Sequence, residues 1–496
     1  MLRLFSPPRP RIGSLALGLA LSVMVAGCTT VGPNYEAPKL PMPSDWQSTQ
    51  PLAALPASLP DQSLRLARWW QVFDDAQLTQ LIDQALANNK DIQQAEGRLQ
   101  ESRARRAIAG ADLFPVVGAR AAANRTGGSS EAGLGLTNNV FSSGFDASWE
   151  ADIFGGKRRA REAASAQVQA SEADLADVQV SLTAEVGLNY LNLRAYETRL
   201  LVARSNLQIQ TETRDIAHWR QLAGLTTQLD VDQATATLEQ TRAQIPPLET
   251  LIAQTKHQIA FLLGLNPDQG PALTPAPMPK TTATLAIGIP AELLRRRPDI
   301  RRAERQLAAQ TAQVGVATAA QYPNFSLSGS VGLAALAAGN LLTAGAQTFA
   351  LGSNAAWTAF DAGRIRQNIV VQNALQAQAL GRYEATVLTA LLQVENALTA
   401  YAREQERQAA LINAVQAAQS AERLARNQYA AGLVSFQTVL DTQRSLLTLQ
   451  DQKVSSAAAV STDLVQLYKA LGGGWATNTP VPPQTQTPSA LEHPTP

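Results

Sequence analysis

The stretch DIQQAEGRL, residues 91–99, recurs as DIRRAERQL at residues 299–307, a spacing of 208 positions. The aspartate and isoleucine that open it, the central alanine and glutamate, and the final leucine are identical in the two copies. A match of this length at a fixed spacing indicates an internal repeat, and an internal repeat constrains the fold before any single element does.

The same shift of 208 residues aligns positions throughout both halves of the chain. The aligned pairs are Pro115 and Pro323, Phe141 and Phe349, Trp149 and Trp357, Val186 and Val394, Gly224-Leu225 and Gly432-Leu433, and Leu263-Gly264 and Leu471-Gly472. The sequence therefore predicts one structural unit that is used twice.

Each unit contains two segments in which apolar and polar residues alternate, as they do in half-buried strands. They lie at about 115–125 and 140–153 in the first unit and in the corresponding stretches from 323 to 360 in the second. Strands of about ten residues cross a bilayer when tilted, and Trp149 and Trp357 would then face lipid near an interface. Strands alone leave open a soluble β-sandwich with its core on the apolar face.

Long helices flank each predicted hairpin. A helix is expected at 75–111, and proline-free stretches at 157–222 and 363–430 predict helices of about 100 Å at 1.5 Å per residue. Apolar residues recur every seven positions, as in coiled coils, at Val186, Leu193, Leu200 and Leu207. Pro246-Pro247 should interrupt the first return helix, which has no proline counterpart in the second unit.

The first 28 residues resemble a lipoprotein export signal. Arginines precede an apolar stretch at about 15–26 that is too short to span a membrane, and Val25-Ala26-Gly27-Cys28 resembles a lipobox. Cleavage would leave Cys28, the only cysteine, as a lipid-modified N-terminus. Residue 29 is threonine rather than aspartate. In the lipoproteins that this signal resembles, a residue other than aspartate at this position usually goes with sorting to the outer membrane. The alternative is an ordinary signal peptide with an incidental cysteine.

Composition argues against several classes of protein. The net charge is +1, so no nucleic-acid partner is expected, and no run of 18 apolar residues occurs. No cluster of histidine, cysteine and carboxylate residues has the spacing of metal ligands, and no nucleophile motif or phosphate-binding loop is present. We therefore expect neither an enzyme nor a metal site, and no cofactor apart from the covalent lipid on Cys28.

Two hairpins give four strands, and a four-stranded sheet has two open edges. Unpaired backbone groups cost several kcal/mol each in hydrocarbon, so membrane strands would force oligomerisation. A trimer would supply twelve strands, although the strand count alone leaves other oligomers open.

Four motifs together resemble the TolC/OprM-type outer-membrane factors, in their NodT-like lipoprotein branch. They are residues 31–35 (VGPNY), 69–75 (WWQVFDD), 296–300 (RRPDI) and the two Gly-Leu pairs at 224–225 and 432–433. The resemblance implies a mixed, mainly α fold of two tandem repeats. Each repeat has a β-hairpin and long coiled-coil helices. The resemblance also implies a homotrimer with a 12-stranded outer-membrane β-barrel joined to a periplasmic α-helical barrel.

Together with this resemblance, the sequence predicts how the whole chain is divided into segments. The predicted segments are a signal peptide (1–27), a lipidated tether (28–64), a first repeat (65–265, hairpin about 115–153, tip near 224), a linker (266–289), a second repeat (290–475, hairpin about 323–360, tip near 432) and a disordered tail (476–496). The implied function is an outer-membrane exit duct of a tripartite efflux system. The implied partners are a periplasmic membrane-fusion adaptor, an inner-membrane efflux pump of the RND type and outer-membrane lipids.

The resemblance also assigns sites. A periplasmic gate is expected at Gln437, Asp441 and Arg444, with Asp230 and Tyr429 tying neighbouring helices; Val434 stands where TolC has a basic partner. Asp441 and Arg444 would otherwise be an ordinary surface pair. The adaptor would contact the tips at Gly224, Leu225, Gly432 and Leu433. The barrel lumen would carry Asp146, Glu150 and Asp152, which either favour cations or merely keep the wall wet.

Two rival functions remain open at this stage. The closer rival is a TolC-like duct for type I protein secretion, over which the lipobox weakly favours small-molecule efflux. A lipoprotein scaffold of coiled coils explains the lipid and the long helices but not the two alternating hairpins. The arginine cluster from 295 to 305 could bind an anion, although helix pairing is the simpler interpretation.

Overall fold

The computed structural model describes residues 30–41, 43, 46, 66–129, 131, 132, 135–279 and 296–476. The signal peptide, Cys28, most of the tether, part of the linker and nearly all of the tail lie outside these ranges. The described chain folds into two compact units, which differ from the two sequence repeats because each compact unit contains parts of both repeats. From here on, the first and second units are these compact parts. The described residues of the first unit lie within Met1–Met42, Gln93–Leu175 and Arg295–Thr389, and those of the second lie within Pro43–Ile92, Ala176–Leu294 and Ala390–Pro496.

The helices and strands follow the order of the two repeats. The first repeat has a short 3₁₀ helix at Trp69–Phe73, then α1 (Ala76–Asn88), α2 (Lys90–Ala111), β1 (Val116–Gly127), β2 (Thr137–Ala151), α3 (Gly156–Leu222), α4 (Gln228–Arg242) and α5 (Ile245–Leu262). The second has α6 (Pro298–Ala319), β3 (Asn324–Ala335), β4 (Gln347–Ala356), α7 (Arg364–Ala430) and α8 (Phe436–Ala470). Short 3₁₀ turns lie at Pro267–Gln269, Ala338–Asn340 and Ala344–Ala346.

The four strands form one antiparallel sheet in the first unit, in the order β1-β2-β3-β4. One row of directly paired residues is apolar across all four strands and consists of Ala119, Phe145, Val331 and Phe349. The neighbouring row, on the opposite face, contains Asp146 and Ser330. The apolar side chains are not covered, since Phe145 is 60% exposed and Phe349 is 89% exposed. A sandwich core would bury them.

The helix expected at 75–111 is in fact two helices, and Asn89 separates them. Asn89 has an extended backbone, and its side-chain oxygen accepts hydrogen bonds from the amides of Asp91 and Ile92 at 2.8 and 3.3 Å. Its amide nitrogen donates to the carbonyl of Leu262 at 2.9 Å. Asparagine competes for backbone groups in this way, and it therefore ends α1 and caps α2.

The first return helix is divided, whereas the second is continuous. α4 ends at Arg242 and α5 begins at Ile245, with proline in its first turn. Proline lacks an N–H and clashes with the preceding turn, so it is tolerated only where a helix starts. α8 has no proline and runs unbroken over 35 residues.

The second unit has its core around Trp69. This indole is fully buried and stacks on Tyr468, with ring centroids 5.9 Å apart. A Cβ atom at position 187 would lie 2.6 Å from the Trp69 ring, which explains the glycine in α3 there. Tyr190 donates to Asp75 at 2.7 Å, and burial, reinforced by this bond, raises its pKa to about 12. The tryptophan-rich motif is thus a packing element.

Candidate gate, tips and sheet face

Both helical hairpins turn at their tips through the same geometry. Gly224 and Gly432 have φ values of 71° and 76°, a conformation that glycine adopts without strain. The amide of Leu225 donates to the carbonyl of Arg220 at 2.8 Å, and that of Leu433 to Gln428 at 2.9 Å. These are the bonds of a Schellman motif. Leu225 and Leu433 are left exposed.

A small apolar cluster lies next to the tips in the second unit. Its buried members come from α3, α4 and α8 and are Ala217, Val231, Ala234, Phe436 and Leu440. Tyr429, near the end of α7, packs against this cluster, and its ring is 5.2 Å from that of Phe436. The cluster therefore joins the ends of both hairpins.

Tyr429 also contacts a cation. The guanidinium carbon of Arg220 in α3 lies 4.7 Å from the centroid of the Tyr429 ring, a distance at which a cation is attracted to an aromatic face. This contact links the end of α7 to the end of α3, while the role of Tyr429 as a tie in the closed channel stays a prediction. The sequence did not identify Arg220.

Asp230 occupies a capping position, and its bonds are made within its own hairpin. Its carboxylate accepts hydrogen bonds from the hydroxyl of Thr226 and from the amide and hydroxyl of Thr227, which completes a capping box with Thr227. The Thr226 bond, helped by those from Thr227, holds the pKa of Asp230 below its usual value. The tie to a neighbouring helix assigned to Asp230 by resemblance is not among these bonds.

The three residues that the resemblance assigns to a gate lie near the start of α8. Gln437 donates to Asp441 at 2.8 Å, and the guanidinium of Arg444 lies 3.7 Å from the same carboxylate. Arg444 also donates to the hydroxyl of Thr237 in α4 at 2.9 Å. Asp441 is therefore held loosely within its own helix, while Arg444 links the two return helices. Thr237 was not singled out from the sequence.

Polar contacts between α3 and α8 form a series that sequence reasoning missed. On α3 the residues recur every seven positions, at Arg199, Asn206 and Thr213, and Arg220 continues the spacing. Their α8 partners are Asp451 at 2.6 Å, Gln450 at 2.8 Å and Gln443 at 2.9 Å. The heptad spacing of these polar residues was a detectable signal, because residues seven apart share a helix face.

The three acidic residues assigned to the barrel lumen have different environments. Asp146 lies on the polar face of β2, 3.0 Å from Arg120 on β1, and Glu150 lies 3.3 Å from Lys157. Asp152 lies beyond the end of β2, and its carboxylate accepts the amides of Lys157 and Arg158 at 3.0 and 2.9 Å. It satisfies the free amides at the start of α3, so its structural role is that of a helix cap.

The two equivalent tryptophans make equivalent hydrogen bonds. The indole N–H of Trp149 donates to the carbonyl of Leu113 at 2.9 Å, and that of Trp357 donates to Gln321 at 3.0 Å. Both acceptors lie 36 residues earlier, where the preceding helix has ended. Trp357 follows β4 rather than belonging to it. The repeat thus extends to individual side-chain bonds.

Ion pairs involve several of the clustered arginines. Arg297 pairs with Asp299 at 2.7 Å, Arg302 with Asp174 at 2.7 Å, and Arg305 with Glu304. Arg98 of the first repeat also reaches Asp174, at 3.0 Å. Asp174 thus joins arginines of both repeats.

Two kinds of feature are absent from the described residues. No group of three or more histidine, cysteine or carboxylate side chains there is arranged to hold a metal ion. None of the helices in that part of the chain combines the length and the apolar character needed to cross a membrane.

Comparisons with known proteins identify relatives over most of the chain. A family model described as outer membrane efflux protein matches residues 81–265 and 289–473. The chain is 34% identical over 470 residues to the pyoverdine export outer membrane protein OpmQ of Pseudomonas putida, with 93% of this chain and 98% of OpmQ covered. It is 31% identical over 470 residues to the antibiotic efflux pump outer membrane protein ArpC of Pseudomonas putida, with 92% and 95% covered.

A solved structure extends this similarity to three dimensions. The outer-membrane channel OprN matches with a TM-score of 0.85 at 38% identity, and the match covers 90% of this chain and 100% of the OprN chain.

Proposed function

The chain belongs to the outer membrane efflux protein family, and we propose that it passes small molecules, drugs or other toxic compounds, from an inner-membrane pump and periplasmic adaptor to the exterior. The family membership confirms the resemblance to TolC/OprM-type factors, the tandem-repeat fold and the outer-membrane location extending into the periplasm. Its members are channels that work as trimers with adaptors and inner-membrane pumps.

The observation that carries the proposal is the two-faced, open sheet. One face presents exposed apolar residues such as Phe145 and Phe349, and the other presents Asp146 and Ser330. The outer edges of β1 and β4 have no partner strand within the described chain. Three copies would close a sheet of twelve strands, with the apolar face toward lipid and the polar face toward water.

The cargo proposal rests on the relatives. OpmQ is named for pyoverdine export and ArpC for antibiotic efflux. Both are exporters of small compounds, which favours small-molecule efflux over the type I protein secretion that a TolC-like duct also serves. We assign the choice of cargo to the pump, for which an RND transporter is the proposed class.

We propose that the adaptor contacts the two tips. Gly224 and Gly432 lie at the turns, and among the described residues no side chain or backbone from elsewhere in the chain crowds a Cβ built at either glycine. Leu225 and Leu433 present exposed apolar side chains beside them. An apolar side chain on a rigid turn suits a binding surface because little ordering entropy is lost on contact.

We propose that the gate comprises Gln437, Asp441 and Arg444, with Tyr429 and Asp230 supporting the hairpin ends. Around a threefold axis, three copies of the Asp441 carboxylate repel one another unless they are paired, which makes the closed state easy to perturb. The loose Arg444 contact and the firmer Thr237 bond agree with such a balance.

Two further assignments remain proposals. Cys28 is the proposed lipid attachment site, and several acyl chains would anchor the protein firmly; palmitate labelling that survives Cys28→Ser would remove it. Asp146, Glu150 and Asp152 are proposed to give the lumen a modest preference for cations. Each has a basic neighbour, which favours the alternative that they only hydrate the wall. Equal cation and anion permeability would remove the preference.

The decisive experiment measures the mass and ion conductance of the protein extracted from outer membranes in mild detergent. A mass of about three chains with a small, mostly closed conductance is expected, because the members of the family work as trimers. A monomer without conductance would contradict the duct and leave the lipoprotein scaffold as the better interpretation.

A further inference from the structure

The N-terminal segment of the described chain lies in a cleft made by both repeats. We call residues 30–35 the strap. The strap cleft is lined by Phe154, Gly155, Arg159, Glu304, Arg305 and Gly315. The strap has no helix or strand of its own, so contacts with the cleft determine its path.

Arg159 makes most of the polar contacts with the strap. Its Nε donates to the carbonyl of Val31 at 3.1 Å, and its Nη2 donates to the carbonyl of Gly32 at 3.2 Å and to Oδ1 of Asn34 at 2.7 Å. Its remaining nitrogen, Nη1, pairs with Glu162 at 2.8 Å. Arg159 is only 3% exposed, and a buried guanidinium needs all its donors satisfied. The strap supplies three of these four acceptors.

The strap and its cleft fit closely at three glycines. A Cβ atom at Gly32, whose φ is 86°, would lie 2.4 Å from the Cα atom of Gly315. A Cβ atom at Gly315 would in turn lie 2.8 Å from Cγ of Arg159, and one at Gly155 would lie 2.5 Å from Thr30. No side chain larger than hydrogen can be added at these positions without displacing the strap or Arg159.

Both ends of the strap are also fixed. The amide of Val31 donates to the carbonyl of Phe154 at 3.1 Å. The hydroxyl of Tyr35 donates to Glu304 at 3.0 Å, and the guanidinium carbon of Arg305 lies 5.2 Å from the Tyr35 ring centroid. Burial, reinforced by Glu304, raises the pKa of Tyr35, so the phenol remains a donor at ordinary pH.

We propose that the strap cleft is a docking site for the processed N-terminal segment, and that Arg159 positions the lipid anchor beside the junction of β2 and α3. This role rests on the proposed lipidation of Cys28. One residue, Thr29, lies between Cys28 and Thr30, so the anchor lies at most about 7 Å of extended chain from the end of the docked strap. Thr30 packs against Gly155, which directly precedes α3. The acyl chains therefore enter the bilayer at the level where the membrane strand ends.

The test uses the full chain in lipid vesicles with a nitroxide on Pro33→Cys, at an exposed strap position. The strap-docked chain should give an immobile label, with relative accessibility to oxygen and to a nickel chelate that indicates one defined depth. Arg159→Met, which cannot donate, should convert more than half of the label to a mobile form. Gly315→Ala should do the same by displacing Arg159. Arg161→Met, an exposed arginine two residues along α3, is the matched control and should leave the label immobile.

Three outcomes of the label measurements would overturn the proposal. The first is a mobile label in the unaltered strap. The second is an immobile label in both Arg159→Met and Gly315→Ala. The third is a label that becomes mobile in Cys28→Ser, since the lipid rather than the cleft would then hold the strap. A protein lacking acyl mass would overturn the anchor and hence the positioning role of Arg159, whereas an immobile label in that same protein would still support the docking site.

Discussion

The ring of Tyr429, near the end of α7, lies 4.7 Å from the guanidinium carbon of Arg220, near the end of α3. The outgoing helices of the two repeats therefore meet at a cation–π contact beside the tips. Val434, where TolC has a basic residue, supplies no cation. Arg220 provides a positive charge to Tyr429 from a different helix.

Replacing Tyr429 with leucine should loosen the closed channel. A cation–π contact contributes about 0.5 to 1 kcal/mol at a partly exposed site. Three subunits together therefore supply about 1.5 to 3 kcal/mol, and the loss of all three contacts should raise the open-to-closed ratio about 10- to 150-fold. Single-channel recording in planar bilayers measures this ratio. Tyr429→Phe keeps the ring and removes the hydroxyl, and it should behave as the unaltered protein. An opening effect of Tyr429→Phe equal to that of leucine would assign the lock to the hydroxyl instead.

Asp441→Ala should raise the conductance of the isolated channel. Without the Asp441 carboxylate, Arg444 loses its neutralising neighbour at 3.7 Å, and three unpaired guanidinium groups would repel one another around the axis of the closed channel. An exposed pair contributes a few tenths of a kcal/mol, so three subunits together supply about 1 kcal/mol, or about fivefold in the equilibrium. Asp232→Ala is the control, because Asp232 accepts a hydrogen bond from Gln228 at 2.9 Å with the same four-residue spacing but lies outside the proposed gate. Unaltered conductance in Asp441→Ala would contradict the gate assignment.

Thr213→Val should destabilise the contact between α3 and α8. Gln443 is buried, and its amide donates to the Thr213 hydroxyl at 2.9 Å, so an isosteric valine leaves that donor without its partner. The expected cost is about 1 to 3 kcal/mol per subunit. Thermal unfolding of the trimer, followed by circular dichroism, measures it as a lowered midpoint.

Thr211→Val separates this effect from a change in helix propensity. The hydroxyl of Thr213 donates to the carbonyl of Ile209, four residues earlier, at 2.9 Å. The hydroxyl of Thr211 likewise donates to the carbonyl of Leu207 at 2.8 Å, but Thr211 is less buried than Thr213. Its replacement should change the midpoint much less than Thr213→Val. Equal midpoints in the two variants would show that the Gln443 bond contributes nothing to stability.

The start of α4 should loosen in acid through Asp230. Because the folded protein lowers the pKa of this carboxyl, its contribution to stability is present above the usual value of 3.8 and is lost as the pH falls through the lower folded value. Amide exchange of the first turn of α4, corrected for its intrinsic pH dependence, should show a loss of protection below about pH 4. Thr227→Ala should weaken the same turn by about 1 kcal/mol at neutral pH. Acid loosening that persists in Asp230→Asn would assign it to another group.

The sequence determined the elements that depend on near neighbours. Alternation over 140–153 corresponds to β2, proline-free stretches correspond to α3 and α7, and Gly224 and Gly432 adopt positive φ where the helices turn. Such signals are legible because strand alternation, helix interruption by proline and left-handed turns are fixed by backbone sterics within a few residues. The repeat reinforces these signals, because the alternating segments, the proline-free stretches and the Gly-Leu pairs each occur in both halves of the chain.

Only the tertiary structure decided which distant groups meet. Asp230 caps its own hairpin, Asp152 caps α3 rather than extending β2, Tyr429 takes Arg220 as its partner, and Arg159 binds the strap. Each outcome depends on the rotation of packed helices and on which buried donors remain to be satisfied. One sequence pattern is compatible with several such arrangements, and the packed core selects among them because an unpaired buried polar group costs more than a surface contact gains.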